Sequence, residues 1–387
     1  MEVLAVQQDK IMKKILMLFM IMVLIVGCSS KEPEKETETV DDDKISFLAV
    51  GDNLMHERLL DCAKTDDGYD FSPYYSNIKS YIQKADLSFV NQETILGGDT
   101  LGATGYPAFN TPEVMAKNLS DLGFDIVNGA TNHTLDKGYN AVVNSINVFK
   151  KYKNLTYIGV NETKESREIP VVEKNGIKIA FLSYDQYSNK EDNEHRFCIN
   201  RFDDAQIKQD VENAKEISDF IIVSCHWGEE YDIAPNNFQK KYAKMFADLG
   251  VNVILGTHSH TLQPVEWVEG TSGNKTLVAY SLGNFVSGML EEETQLEGML
   301  TFDLKKEDNQ VNIDNVVLTP LMNHYEATNV QNIMETRENF TVYRLKDYSE
   351  ELAKKHGLNG YQGIQISFDK MKQKVKERIT SGIKIDM

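Results

Sequence analysis

From residue 45 onward, short apolar runs rich in β-branched and aromatic residues alternate with segments of helical spacing. The runs are KISFLAVGD (44–52), ADLSFVNQE (85–93), FDIVNGATNH (124–133), LTYIGV (155–160), KIAFLSYD (178–185), DFIIVSCHWG (219–228), VNVILGTHSH (251–260) and TLVAYSLGNF (276–285). Near-continuous apolar stretches of this length predict strands buried on both faces. Between them, TPEVMAKNLSDLG (111–123) offers Thr111 as N-cap, Pro112 at the first helical position and Gly123 beyond the last. NAVVNSINVFKKY (140–152) and NNFQKKYAKMFADLG (236–250) also have helical spacing. Such alternation predicts a layered α/β architecture with helices over the sheets. MLTFDLKKEDNQVNIDNVVLTPL (299–321) reads as an antiparallel hairpin. Residues 322–387 are more polar and predict a C-terminal extension made of a helix and tail, with His324 and His356 as ordinary surface or packing histidines.

The N-terminus has a different pattern. Lys13 and Lys14 precede ILMLFMIMVLIVGC, an uncharged run of 14 residues ending at Cys28. A basic segment before a short apolar one reads as an export signal, too short for a comfortable membrane span. The alternative is an uncleaved anchor helix. Ile25-Val26-Gly27-Cys28, followed by two serines, resembles a bacterial lipobox, which implies cleavage before Cys28 and a lipid on its sulfur. Residues 1–28 are thus expected to be a lipoprotein signal, with translation beginning at Met1 or Met12. Residues 29–44 are charged and almost free of apolar side chains, the composition of a disordered tether. The location this predicts is the extracytoplasmic face of the cell membrane.

Of the 387 residues, 41% are hydrophobic, enough for a sizeable core, and the formal net charge is −18. That balance argues against nucleic acid as a partner, since phosphate backbones need a basic face. Beyond Cys28 the chain has Cys62, Cys198 and Cys225, an odd number that builds no disulfide framework. Without a C-x-x-C pair, thiolate zinc sites and thioredoxin-like chemistry are poor readings.

Candidate chemistry sits where the apolar runs stop. Five of the eight histidines, His56, His133, His226, His258 and His260, lie at or just beyond the carboxyl ends of these strands. Asp52, Glu93 and Asn132 accompany them, and Asp136 follows His133. In open α/β sheets, ligands collect outside the carboxyl ends of the strands. Each residue alone is more often a turn, a cap or a packed side chain, but one fold places all these ends on one edge. Imidazole with carboxylate and no thiolate suits Zn, Mn or Fe, and a set this rich can hold two divalent ions bridged by one carboxylate. His258 and His260, two apart in an extended segment, are expected to face one cleft with Ser259 turned away.

The order of GDNLMHERLL, NQET, ATNHTLDKG, CHWGEEY, GTHSH and SLGNF over residues 45–290 resembles the CapA family of poly-γ-glutamate capsule synthesis proteins, a divergent branch of the calcineurin-like metallophosphoesterases. The resemblance implies a four-layer α/β/β/α sandwich of metallophosphatase type over residues 45–321. It implies that Asp52 binds a first metal, Glu93 stands for the bridging aspartate, Asn132 and His226 bind a second, and His258 and His260 are divided between them. His133 matches the proton donor to the leaving group, with Asp136 orienting it. Leu54 stands where phosphoesterases usually carry a histidine, and His56 is the nearest substitute. The implied role is lipid-anchored capsule biosynthesis, acting on or escorting an anionic polymer beside membrane-bound polymer-synthesis partners. No Walker A sequence is present, which leaves ATP-driven ligation to those partners. A general extracytoplasmic metal-dependent phosphoesterase and a non-catalytic scaffold are the alternatives.

Overall fold

The computed structural model describes residues 44–308 and 310–387. The expected export signal, the lipobox with Cys28 and all of the tether but Lys44 lie outside the described residues. In chain order the strands are β1 (Lys44–Asn53), β2 (Leu87–Gln92), β3 (Ile126–Asn128), β4 (Thr156–Ile158), β5 (Val171–Lys174), β6 (Ile177–Asp185), β7 (Phe220–His226) and β8 (Val253–Thr257). They continue as β9 (Val265–Glu269), β10 (Lys275–Ala279), β11 (Asn284–Val286), β12 (Leu296–Glu307), β13 (Gln310–Ala327), β14 (Arg337–Arg344) and β15 (Lys384–Ile385). The longer helices are α1 (Val114–Leu122), α2 (Tyr139–Phe149), α3 (Asp204–Ile217), α4 (Asn237–Asp248) and α5 (Phe368–Arg378).

Two sheets result. The first runs β14-β13-β12-β1-β2-β3-β4, with β11 paired to β1 and β15 to β13; the second runs β9-β10-β8-β7-β6-β5. Their centres, β1-β2-β3-β4 and β6-β7-β8-β10, are parallel. The apolar runs form these strands because each buries both faces. Phe47 of β1 stacks on Phe181 of β6 across the inter-sheet space, with ring centroids 6.3 Å apart. Phe89, Ile222, Val253 and Leu255 join the same core. On its other face the second sheet packs Leu182, Tyr184 and Val223 against Val211 of α3 and Phe246 of α4. Over the first sheet, Phe149 of α2 stacks on Tyr157 of β4 at 4.2 Å. This is the expected layering of helices outside two facing sheets.

Local chemistry explains several helix ends. Asn236 closes a capping box with Gln239 at the start of α4, and Gly123 ends α1 in the left-handed region that glycine tolerates. Thr111 is not a cap: α1 starts at Val114, and the Thr111 hydroxyl instead meets that of Thr94 at 2.6 Å.

The C-terminal segment differs from its expectation. The anticipated boundary at 321/322 falls inside β13, and β14 and β15 both pair with that strand. Phe340, Val342, Leu345, Met371 and Val375 are buried in the main core. Residues 322–387 therefore extend the first sheet as well as supplying α5. Their apolar residues are spread thinly among polar ones and find partners only through long-range pairing.

His324 and His356 are packed inside this region, each 2% exposed. Burial pushes His324 down to about 4, with Lys355 adding and Glu326 opposing. Burial and neighbouring His324 push His356 down to about 3, against the Asn323 carbonyl. Both stay neutral in the folded protein where unfolded histidines, with pKa about 6.5, take up protons. The unfolded state then binds more protons, so stability falls as pH drops from about 6.5 toward about 4, and nothing is lost above it. The limiting slope is about 1.4 kcal/mol per pH unit per histidine. Urea unfolding of His356→Gln between pH 7.5 and 5 is expected to show a shallower acid slope than the parent, and an identical slope would contradict this.

Candidate metal centre

The carboxyl ends of β1, β2 and β3 from one sheet and of β7 and β8 from the other meet at one edge of the sandwich. Asp52 lies near the end of β1, where a register shift between Ala49 and Asp52 interrupts pairing with β2. Such bulges re-aim a side chain. Glu93 follows β2, while Asn132, His133 and Asp136 lie in the loop between β3 and α2. Along β7, alternation turns Phe220, Ile222, Ser224 and His226 toward the first sheet. His258 and His260 follow β8, but not in an extended segment: their φ angles are 93° and 57°. Left-handed backbone at two non-glycine residues is strained, a feature that clusters at functional sites. Both rings still enter the centre.

Asp52, Glu93, Asn132, His226, His258 and His260 are all brought together, none more than 4% exposed. His226 Nε2 lies 3.1 Å from Asn132 Oδ1, 3.2 Å from His258 Nδ1 and 3.8 Å from Glu93 Oε1. Its other nitrogen, Nδ1, is 2.9 Å from the Thr257 hydroxyl, which fixes the ring and leaves Nε2 facing the centre. On the other side, His260 Nδ1 is 3.3 Å from Asp52 Oδ2 and 3.0 Å from Asn284 Oδ1, while its Nε2 is 3.7 Å from Glu93 Oε1. Three groups of donors therefore lie within 4.8 Å of one another: Glu93-His226-His258, Asp52-Glu93-His260 and Glu230-His258-His260.

Glu93 lies between the first two groups. It is 1% exposed, and neither carboxylate oxygen has a hydrogen-bond partner. A buried charged oxygen without a donor is costly, and coordination of a cation relieves that cost. With only nitrogen and oxygen donors converging, the residues fit a divalent ion of the Zn, Mn or Fe kind.

The electrostatics agree. Burial pushes the Glu93 carboxyl well up, with Asp52 and Glu230 adding and His260 opposing. Burial and the neighbouring histidines hold His226 well below its ordinary range, and burial with His260 takes His258 to about 3. Burial opposes charge on His260 too, but Glu93 and Asp52 outweigh it and hold this imidazole up at about 10. His226 and His258 are thus neutral imidazoles, the form that binds a cation.

His133 Nδ1 is 2.8 Å from Asp136 Oδ2, and the same oxygen accepts from the Phe109 backbone N–H. Asp136 therefore fixes the ring, which makes a T-shaped contact with Phe109 at 4.6 Å. His56 stands apart from the three donor groups: its Nδ1 accepts from the Gly288 N–H at 3.1 Å, and its ring makes a T-shaped contact with Phe109 at 5.5 Å.

Some contributors were not singled out from the sequence. Ser183 donates to Asn128 (2.5 Å), Asn128 to Asn91 (2.6 Å), and Asn91 to Asp52 Oδ1 (2.6 Å), a relay from the second sheet that orients the aspartate. Asn91 was visible only as part of NQE at a strand end, and Asn128 as part of VNGATNH. Glu297 anchors the backbone of Asn284. Glu230, exposed at the mouth, is one of two adjacent glutamates in CHWGEEY, and nothing in the string says which one turns inward.

The chain is similar to known proteins. The chain is 28% identical over 300 residues to the PGA biosynthesis protein CapA of Bacillus subtilis, covering 74% of this chain and 75% of that one. It is 27% identical over 292 residues to the capsule biosynthesis protein CapA of Bacillus anthracis, covering 72% and 67%. Among solved structures, the calcineurin-like phosphoesterase YfkN of Bacillus subtilis superposes with a TM-score of 0.45 at 17% identity, covering 72% of this chain and 90% of that one. The family model for the bacterial capsule synthesis protein PGA_cap matches residues 46–289, a span that includes Asp52, Glu93, Asn132, His226, His258 and His260. The chain belongs to the bacterial capsule synthesis protein PGA_cap family.

Proposed function

We propose that this protein serves the assembly, export or anchoring of an anionic capsule polymer of the poly-γ-glutamate kind, from the outer face of the cell membrane and through a two-ion, hydrolase-like centre. The observation that carries the reading is Glu93, a buried carboxylate without a hydrogen-bond partner between two sets of donors, in a chain of a capsule-synthesis family. Glu93, Asn132, His226 and His258 would hold one ion, and Asp52, Glu93 and His260 the other. When bound, such ions supply Lewis acidity and neutralise charge on a phosphoryl or acyl oxygen. The chain's own residues do the rest. Thr257 and Asn284 orient His226 and His260, and the serine-asparagine relay orients Asp52. Asp136 holds His133 through Nδ1, so that Nε2 is the atom from which a proton passes to a leaving group.

Lipid anchoring at Cys28 and membrane-bound synthesis partners belong to the same proposal, supported by the lipobox-like IVGC and by the family. Deleting the gene in a capsule-forming host is expected to remove surface polymer, and complementation with His258→Ala is expected to fail. Normal capsule in either strain sinks the reading. A general phosphoesterase is favoured by the donor set alone. On phosphodiester substrates, His133→Ala is then expected to lower kcat by roughly 10²- to 10⁴-fold while bound metal is unchanged.

A further inference from the structure

The two donor sets are unequal. Glu93, Asn132, His226 and His258 offer four side chains, whereas Asp52, Glu93 and His260 offer three. Position 54, which the family resemblance assigns to a histidine, holds Leu54, buried and without a donor. His56 does not replace it: it belongs to none of the three donor groups, and its Nδ1 accepts from the Gly288 N–H.

Resting on the two-ion reading above, we infer that Glu230 supplies the missing side chain of the first site, entering from the mouth rather than from β1. Its carboxylate, His258 and His260 have donor atoms within 4.8 Å of one another. The loop that carries it is tied to the histidine loop. Tyr231 N–H donates to the Ser259 carbonyl at 2.8 Å, and the Asp232 carbonyl accepts from Thr261 (2.6 Å) and Gln263 (2.9 Å). Tyr231 has a φ of 70°, a left-handed kink directly after Glu230. The adjacent Glu229 is engaged elsewhere, accepting from the Tyr187 hydroxyl at 2.7 Å. Of the two glutamates, Glu230 is the one brought to the histidines.

Exchange of an imidazole for a carboxylate changes the cation the site selects. Asp52, Glu93 and Glu230 with one histidine make an oxygen-rich set that suits a harder ion such as Mn²⁺. The second site, with two imidazoles, suits Zn²⁺.

Calorimetric titration of the metal-free full-length chain with Mn²⁺ and Zn²⁺, with elemental analysis after dialysis, tests this. Two ions per chain are expected for the parent and for Glu229→Gln. Glu230→Gln is expected to keep one ion, with Mn²⁺ affinity at the other site lowered about tenfold or more. Because Glu230 is exposed, an unchanged circular dichroism spectrum is expected to accompany the loss. Two ions at unchanged affinity in Glu230→Gln overturn the inference and leave the two-ion reading standing. A parent that binds no ion overturns both.

Discussion

Glu93→Gln is expected to melt, free of metal, within about 1 kcal/mol of the parent, yet to lose the stabilisation that Mn²⁺ or Zn²⁺ confers. The two halves of this result have one cause. The Glu93 carboxyl is buried without a hydrogen-bond partner, and burial raises its pKa, so the metal-free fold disfavours its charged form. An amide of the same shape therefore costs the empty fold little. Loaded protein is another matter, because Glu93 contributes to both donor sets and its loss disables the pair at once. An ion bound only to the folded state at about 100 times its Kd adds about 2.7 kcal/mol to the parent. Thermal melts with and without ion measure this difference directly. A variant that still gains the parent's increment would show that Glu93 is not a shared ligand.

Gly51→Ala is expected to cost about 3 kcal/mol or more, and to weaken ion binding without touching a donor. An added Cβ at Gly51 would lie 1.8 Å from the Gly283 carbonyl oxygen and 2.8 Å from its carbon. Those atoms are backbone and have no rotamer to adopt. Asp52 N–H donates to that same carbonyl at 2.9 Å, so relief of the clash moves Asp52 away from the centre. Gly283 itself has a φ of 71°, and Glu297 fills the space a side chain would need there, which blocks compensation from β11. Urea unfolding reads the first effect and metal titration the second. A loss below about 1 kcal/mol would mean that β1 and β11 separate more easily than their close approach implies.

The strands of the centre are legible in the sequence because they bury both faces and therefore read as unbroken apolar runs. Their polar ends stand out for the same reason: in VILGTHSH, two histidines directly after a core strand have no packing explanation. The mechanism by which those two meet was less legible. An extended backbone explains the pair in principle, whereas the chain uses two left-handed residues, which no residue type there announces. Asn91 and Asn128 were hidden because an amide at a strand end is usually a cap, and only the third dimension aligns them with Ser183. The C-terminal segment was hidden for a different reason. Val342 pairs with Asn323 of the preceding strand, in a sequence pattern too irregular to read as alternation, so the polar residues around it dominate.

Asp52, Glu93 and Asn132 ride on one sheet, and His226, His258 and His260 on the other. Between those two groups lie separations of 3.1 to 3.8 Å, set by a packed interface in which Phe47 and Phe181 stand 6.3 Å apart. The centre is therefore a gauge of sheet spacing. A slide of one sheet by a few tenths of an ångström is minor to the core and large to a coordination shell. Any contact that shifted one sheet against the other would reach the centre through rigid packing.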